Sequence, residues 1–434
     1  MQLFRRRLRS RASPRDVLLT LDARARAAGL PPPAALCGEW FGSRAVLAPS
    51  VVAAPVVDRY AALATPAQLP TVEVTSADRA AGAVGGGWCG YLSYDLTDPA
   101  GRHGPLPAAA WGWTAQVLRL DTSGQWWFEA LLETEDDQAS ADALADELEG
   151  ALGRGADSGE GWSPGRPCWP SERSHHAAVR SCLAAIAAGE LSQANVCTRV
   201  TASFDGRPAE LFATGVDMLR PARAAYVGGG WGAVVSLSPE LFLSRIGDTV
   251  RSSPIKGTMP RRNPDDDHLA EVLRKSTKDV AENVMITDLV RSDIGRVCNP
   301  GSVRVPEPLT VRPAPGVWHL DSTVVGELTA GLDDADLLRA TFPPGSVTGA
   351  PKARALELIA ELEREPRGVY TGAVGFASPV AGMELNVAIR TLECHQGTVS
   401  LGVGGGITAD SEPVAEWQEC RHKARPLLNL LSND

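Results

Sequence analysis

Three observations predict a large mixed α/β body, or two to three domains. β-like runs fill the first third, where 114–120 and 125–132 flank Asp121-Thr122-Ser123-Gly124 as a hairpin. Strand-like runs then alternate with amphipathic helical stretches through the remainder. The chain has 434 residues, 44% apolar and 22% charged, an ordinary globular mixture able to bury a sizeable core. No internal repeat is present.

The helical stretch after the hairpin has Ala143, Leu144 and Leu148 on one face. Residues 151–167 are rich in Gly, Ser and Pro, which marks a boundary or a long surface loop. That boundary would separate a strand-rich region over 1–167 from a second region over 168–434. In the second part, Val179, Cys182, Leu183 and Ile186 recur at helical spacing and Gly189 stops that helix. Strands are expected at 193–204, 234–237 and 241–245, the last two broken at Ser238-Pro239-Glu240. A single long helix is expected from about 267 to 290, with Leu269, Val272, Leu273, Val280 and Val284 as its apolar stripe. Another helix starts near 346–351 and carries Ala355, Leu358, Ile359 and Leu362. Strands at 372–377 and 386–392 precede the Gly404-Gly405-Gly406 turn and a last helix over roughly 412–430.

The net charge of −10 argues against a general nucleic-acid binder, since phosphate neutralisation needs clustered Lys and Arg. Arg5, Arg6, Arg7, Arg9, Arg11 and Arg15 do crowd together, and a solvated, partly frayed terminus is the expected state. No apolar run reaches membrane-span length, and no signal-peptide core follows the arginines, so a soluble, cytoplasmic protein without membrane or nucleic-acid partners is expected. The eight cysteines form no C-x-x-C pair and read as buried thiols.

Several residues could do chemistry. Glu416 and Glu419, three apart, project from one face of the last helix, with Lys423 one turn on. Asp279 and Glu282 repeat that spacing in the middle helix. Two such pairs could hold a hard divalent cation between helices, and oxygen ligands favour Mg²⁺ over zinc. Exposed acidic faces carry the same spacing. Lys256 lies in Ser253-Pro254-Ile255-Lys256-Gly257-Thr258, a stiff turn in which an amine could lose its proton and act as a nucleophile, or be an exposed strand-end lysine. The segment 344–352 fails the Walker pattern because Ala350-Pro351 precedes Lys352, but offers N–H groups at a helix start to an anion. Arg390 is a residue type suited to bidentate carboxylate binding.

Taken together and in order, these stretches resemble the chorismate-utilising enzymes, among them anthranilate, aminodeoxychorismate, isochorismate and salicylate synthases. The resemblance runs from about 174 to 425. It rests on Gln193-Ala194-Asn195, Leu237-Ser238-Pro239-Glu240, Pro254-Ile255-Lys256-Gly257-Thr258 and Ala281-Glu282-Asn283-Val284-Met285-Ile286-Thr287-Asp288-Leu289. It continues through 345–352, Ile389-Arg390-Thr391, 404–410 and Glu416-Trp417-Gln418-Glu419 with Lys423-Ala424. Upstream, Gly87-Trp88-Cys89-Gly90-Tyr91 is similar to the family's Gly-Gly-Trp-x-Gly-Tyr stretch; the first eighty residues match loosely.

The resemblance implies an α+β fold, a large two-part body with antiparallel sheets face to face and helices outside, in which the strand-rich region 1–167 is intertwined with a chorismate-binding catalytic domain over 168–434. It implies Mg²⁺ on Glu282 and Glu419, with Asp279 and Glu416 in support, and Glu240 as a general acid that must stay protonated. It implies Gly257, Thr258, His319, Ser346, Tyr370, Arg390, Gly405, Gly406 and Lys423 around the substrate, chorismate. Lysine at 256 matches the aminodeoxychorismate synthase branch, where relatives usually carry alanine, and implies a covalent Lys256 intermediate. Hydroxylating members carry a lysine base at the position of Gln193. The implied product is 4-amino-4-deoxychorismate, for p-aminobenzoate and folate or a secondary metabolite. No nucleophile elbow of a glutaminase is present in the sequence, so ammonia is expected from a separate glutamine amidotransferase subunit. The alternatives are an anthranilate or 2-amino-2-deoxyisochorismate synthase component, or a non-catalytic chorismate-binding homologue. Ser292, Asp321 and Cys420 depart from the family pattern.

Overall fold

The computed structural model describes residues 1–434 except 135, 156–160, 164, 262, 433 and 434. Two antiparallel sheets, of eleven and ten strands among the described residues, form its centre. Alternation along the strands decides the layering. In Ala34–Trp40, Ala34 and Leu36 join a cluster with Tyr91, Val374 and Phe376 of the other sheet, while Ala35 and Cys37 face outer helices. In Ala373–Ser378, Val374 and Phe376 face inward and Ala373 and Ala377 outward. The result is helices, sheet, sheet, helices.

Each sheet draws strands from both sides of residue 167. The larger joins Ala34–Trp40 to Arg223–Gly229, and the smaller joins Gly87–Leu92 to Ala373–Ser378. The hairpin is Gln116–Leu120 with Trp126–Leu132, while Thr114 ends the strand Ala109–Thr114 of the other sheet.

Two crossings between the sheets matter most. Gly232–Ser238 lies in the larger sheet and Leu241–Ile246 in the smaller, so Ser238-Pro239-Glu240 carries the chain across. The expected single strand at 386–392 is a second crossing: Gly382–Val387 ends in the smaller sheet and Thr391–His395 begins in the larger. The crossings bond to each other, Val387 N–H donating to the Glu240 carbonyl at 3.0 Å and Leu237 N–H to the Arg390 carbonyl at 3.0 Å. Arg390 takes a left-handed backbone, φ +49°, to make the passage.

The long helix expected over 267–290 is two. Leu269–Lys275 stops at Ser276, whose hydroxyl accepts the Asp279 N–H at 3.3 Å and starts Thr277–Gly295. This break resets the helical phase, so Val272 and Val284, placed on the apolar stripe, are exposed. Asn283, Ile286, Thr287, Val290 and Ile294 form the buried stripe instead. In Asp137–Arg154 the buried face is Ala141, Ala145 and Leu148; Ala143 is exposed. Of the stretch 151–167, residues 156–160 and 164 lie outside the described residues; Trp162–Ser163 pairs with Asp205–Gly206.

The arginine-rich start is not frayed. Gln2–Arg7 is an edge strand on Trp126–Leu132. Arg5 meets Asp78 at 3.0 Å and Glu129 at 3.4 Å, Arg6 meets Asp142 and Asp146, and Arg15 meets Asp217. The arginines neutralise this chain's own acids. Cysteine burial is not uniform either: Cys168 is exposed and Cys197 intermediate. No helix among the described residues is long and apolar enough to cross a membrane.

Candidate active site

The site is assembled where the crossings meet two helices. Glu240, carried by the first crossing, is 3% exposed. Its Oε1 accepts a hydrogen bond from Ser346 Oγ at 2.5 Å. Burial raises its carboxyl to about 7, against smaller opposing pulls from the Ser346 hydrogen bond, Lys256 and Lys423. An acid so tuned holds a proton at neutral pH and can release it there.

Lys256 lies on the strand Ile255–Arg261, not in a stiff turn. The register against Gly316–Glu327 slips between Ile255 and Thr258, and Gly257 has φ +88°. That irregularity re-aims the strand. A side chain at 257 would press on Asp279 Cβ at 2.9 Å, so glycine lets strand and helix touch. Lys256 Nζ donates to Glu282 Oε1 at 3.0 Å, and Gln193 Nε2 donates to the same oxygen at 2.9 Å. Glu282 is held there because the next residue, Asn283, is fully buried, donates to the Leu320 carbonyl and accepts from Ser322 Oγ.

The last helix, Pro413–Ser432, brings Glu416 and Glu419 against Gly405. A Cβ at 405 would lie 3.0 Å from Glu416 Oε2 and 3.6 Å from Glu419 Oε1; at 406 it would lie 2.5 Å from Glu282 Oε1 and 2.2 Å from Gln193 Nε2. A side chain at 406 would therefore push the Gln193 amide and the Glu282 carboxylate aside. Glu416, buried, accepts from Ser411 Oγ at 2.7 Å, and burial followed by the Glu419 charge raises its carboxyl. Burial also raises Glu419, but Lys423 at 2.7 Å outweighs it and holds that carboxyl below its ordinary value. Lys423 also donates to the Gly404 carbonyl at 2.9 Å. Asp279 accepts from Ser276 Oγ at 2.5 Å, so it serves the helix start as well.

These donors suit a hard divalent cation: all are carboxylates, on two helices, converging on a backbone kept bare by Gly405 and Gly406. Among the described residues, no group of three or more acidic, histidine or cysteine side chains is gathered closely enough to hold a metal. Instead each carboxylate is matched to a lysine: Glu282 to Lys256, Glu419 to Lys423, and Glu416 to Lys278 at 3.8 Å.

The remaining expected residues divide. His319 is buried, with Nδ1 3.1 Å from Thr258 Oγ1 and Nε2 without a partner. Burial, then the Arg390 charge, lowers it to about 4, so it is neutral at pH 7. Arg390 has no acid beside it to offset burial, which lowers its guanidinium from the ordinary value. Tyr370 packs its ring on Gly402 and meets the Cys197 thiol, further along the same strands. Lys352 is not open to an anion: it donates to the Thr341 and Pro343 carbonyls and pairs with buried Asp293 at 2.5 Å. Asp321 pairs with Arg312 at 3.1 Å, which accounts for its charge beside His319. Cys420 is buried with its Sγ 3.6 Å from His175 Nε2.

Sequence reasoning missed two residues. Lys278 reaches Glu416 on the other helix, a pairing no local spacing foretells. Gln193 entered only as part of a motif and as the position where hydroxylating members carry lysine, yet it grips Glu282 while its own Oε1, buried, has no partner among the described residues.

The constellation sets carboxylates, lysines and one poised acid side by side. A family model described as chorismate binding enzyme matches residues 51–429, and the chain belongs to that family. Aminodeoxychorismate synthase component 1 of Klebsiella aerogenes is 45% identical over 256 residues, 58% of this chain and 57% of its own length. Anthranilate synthase component 1 of Streptomyces coelicolor is 43% identical over 251 residues, 57% of this chain and 49% of its own. The chain thus spans about half the length of these relatives. The crystal structure of anthranilate synthase component I from Streptococcus pneumoniae superposes with a TM-score of 0.75 at 26% identity, covering 87% of this chain and 92% of that one. The fold is that of anthranilate synthase component I.

Proposed function

We propose that the chain is the chorismate-aminating component of a 4-amino-4-deoxychorismate synthase. The observation that carries this reading is the Lys256 amine, 3.0 Å from Glu282 and within electrostatic reach of the buried acid Glu240. A nucleophile and a proton donor on one cavity are what displacement of a ring hydroxyl requires.

Chorismate is a dianion. Arg390, unpaired and half-buried, and Lys423 bind its carboxylates, with the Gly405–Gly406 backbone beneath the ring acid and Ser346 and His319 along the ring. Thr258, Gly257 and Tyr370 shape the walls. The neutral Lys256 amine bonds to C2, the ring double bonds shift, and the C4–O bond breaks. Glu240 gives its proton to the departing hydroxyl, which leaves as water. Ammonia then bonds to C4, the double bonds shift back, and the C2–N bond breaks with Lys256 leaving as the free amine; the new C4 ammonium passes one proton to the Glu240 carboxylate, which restores the acid. The enolpyruvyl ether is retained. Bound at Glu282 and Glu419, with Glu416 and Asp279 in support, magnesium supplies positive charge for the ring carboxylate and for the charge developing in the ring. A separate glutamine amidotransferase supplies the ammonia.

A second reading, an anthranilate synthase component, is favoured by the similar identity of the Streptomyces coelicolor relative. Incubation with chorismate, MgCl₂ and an ammonium salt separates them. Recovery of 4-amino-4-deoxychorismate is expected. Anthranilate with pyruvate, in its place, overturns the proposal, and no consumption of chorismate with or without an amidotransferase points to a non-catalytic homologue.

A further inference from the structure

We infer that Lys256 and the divalent cation are alternative occupants of Glu282, so that cation binding is the event that frees the Lys256 amine into the cavity. The inference rests on the functional reading above and adds an order of events to it.

One oxygen carries the argument. Glu282 Oε1 accepts from Lys256 Nζ at 3.0 Å and from Gln193 Nε2 at 2.9 Å, which occupies both of its in-plane lone pairs. A cation on Oε1 would displace one of them, and a cation on Oε2 of the same carboxylate would still set a dication beside the Lys256 ammonium and repel it. Gln193 is the partner that cannot leave. It is 1% exposed, and its amide nitrogen lies 2.2 Å from the place a Cβ on Gly406 would take, packed hard against that strand. Lys256 is the partner that can. Its side chain is 11% exposed, on a strand whose register slips between Ile255 and Thr258, and among the described residues Glu282 is its one hydrogen-bond acceptor. Lys423 differs. When a cation takes Glu419, Lys423 keeps the Gly404 carbonyl at 2.9 Å. Lys278, 3.8 Å from Glu416 and half exposed, has solvent to turn to. Of the three lysines, Lys256 alone is both enclosed and held by a single bond, to a carboxylate that the cation would take. Once released, its neighbourhood is the wall of Glu240, whose charge it already affects.

The test uses the full-length protein without substrate. Mn²⁺ binding is measured by electron paramagnetic resonance of the free ion for the wild type, Lys256→Met and Glu282→Gln. Lys256→Met is expected to bind Mn²⁺ about tenfold more tightly, the competing ammonium having gone. Glu282→Gln is expected to lose the site. In parallel, lysines of the unmodified protein are acetylated with and without MgCl₂ and quantified by peptide mass spectrometry. Labelling of Lys256 is expected to rise several-fold with the cation while Lys423 changes little. This arm needs no variant to fold. Labelling of Lys256 that stays level or falls overturns the inference, as does equal or weaker Mn²⁺ binding by Lys256→Met. Mn²⁺ bound by neither the wild type nor Lys256→Met overturns the metal reading itself, a failure distinct from the other two.

Discussion

Glu129 and Glu240 are both almost wholly enclosed, and they are treated in opposite ways. Glu129, in the strand Trp126–Leu132, meets Arg119 at 2.7 Å and Arg5 at 3.4 Å and accepts the Val84 and Gly85 N–H groups at 2.7 and 3.0 Å. Each oxygen of that carboxylate is answered. Glu240 has one hydroxyl, Ser346, a smaller pull from the Ile255 N–H, and no ion pair among the described residues. Burial outweighs these and the more distant Lys256 and Lys423 charges, and its carboxyl rises to about 7. The same side chain at the same depth is a structural anion in one place and an acid in the other. The difference is made by counting donors. It shows that the supply of donors, and not depth alone, sets what a buried carboxylate does, and the candidate site keeps polar atoms short of partners as well, His319 Nε2 and Gln193 Oε1 among them.

The contrast can be tested from its strongest consequence downward. Lys256→Ala is expected to reduce formation of 4-amino-4-deoxychorismate by about a thousandfold or more, with chorismate affinity by calorimetry nearly unchanged. Full activity in that variant would sink the covalent route. Glu240→Gln is expected to cost roughly 10²–10⁴-fold in kcat, with little change in thermal stability. Glu129→Gln should do the reverse. It leaves Arg119 without its counter-charge, so urea unfolding should show a loss of about 3–5 kcal/mol while kcat per folded molecule holds. If the two variants behaved alike, the contrast would be wrong.

The pH dependence sharpens it. Glu240 acts as its protonated form, so kcat should fall as pH rises through about 7, and Glu240→Gln should lack that limb. The linked stability has the same sign: a carboxyl raised by folding stabilises fully below the ordinary carboxyl range, and that contribution is lost as pH rises to about 7. Ser346→Ala has the smallest expected effect. Removing a hydrogen bond that favours the carboxylate should move the alkaline limb to higher pH, with a cost in kcat below about tenfold.

Much of the frame was legible locally. The break at Ser238-Pro239-Glu240 and the helix carrying Ala355, Leu358 and Ile359 follow from proline and from apolar spacing, and Lys352–Leu362 buries those three residues. The passage at 386–392 was hidden because both flanks alternate apolar and polar residues in the same way, and nothing in residue type says they serve different sheets. Ser276 was readable in principle: Ser-Thr-Lys-Asp is a cap pattern, overridden by counting apolar residues across it. Of the site, the i, i+3 acid pairs were visible as pairs, since one helix turn sets that spacing. Their partners were not, because Lys256–Glu282 and Lys278–Glu416 join residues from separate elements. Asp321 could not be understood before Arg312, on the neighbouring strand, was found beside it.

The weave of the two sheets has a consequence for how this chain can be cut. Remove everything before residue 168 and Arg223–Gly229 loses Ala34–Trp40, while Ala373–Ser378 loses Gly87–Leu92. Two long apolar strands would then present bare edges to water, the arrangement that recruits other chains into aggregates. The early third is therefore no detachable module. Its strands are the selvedge of both fabrics, and any fragment made for expression or for grafting has to carry it along or supply the missing edges in trans.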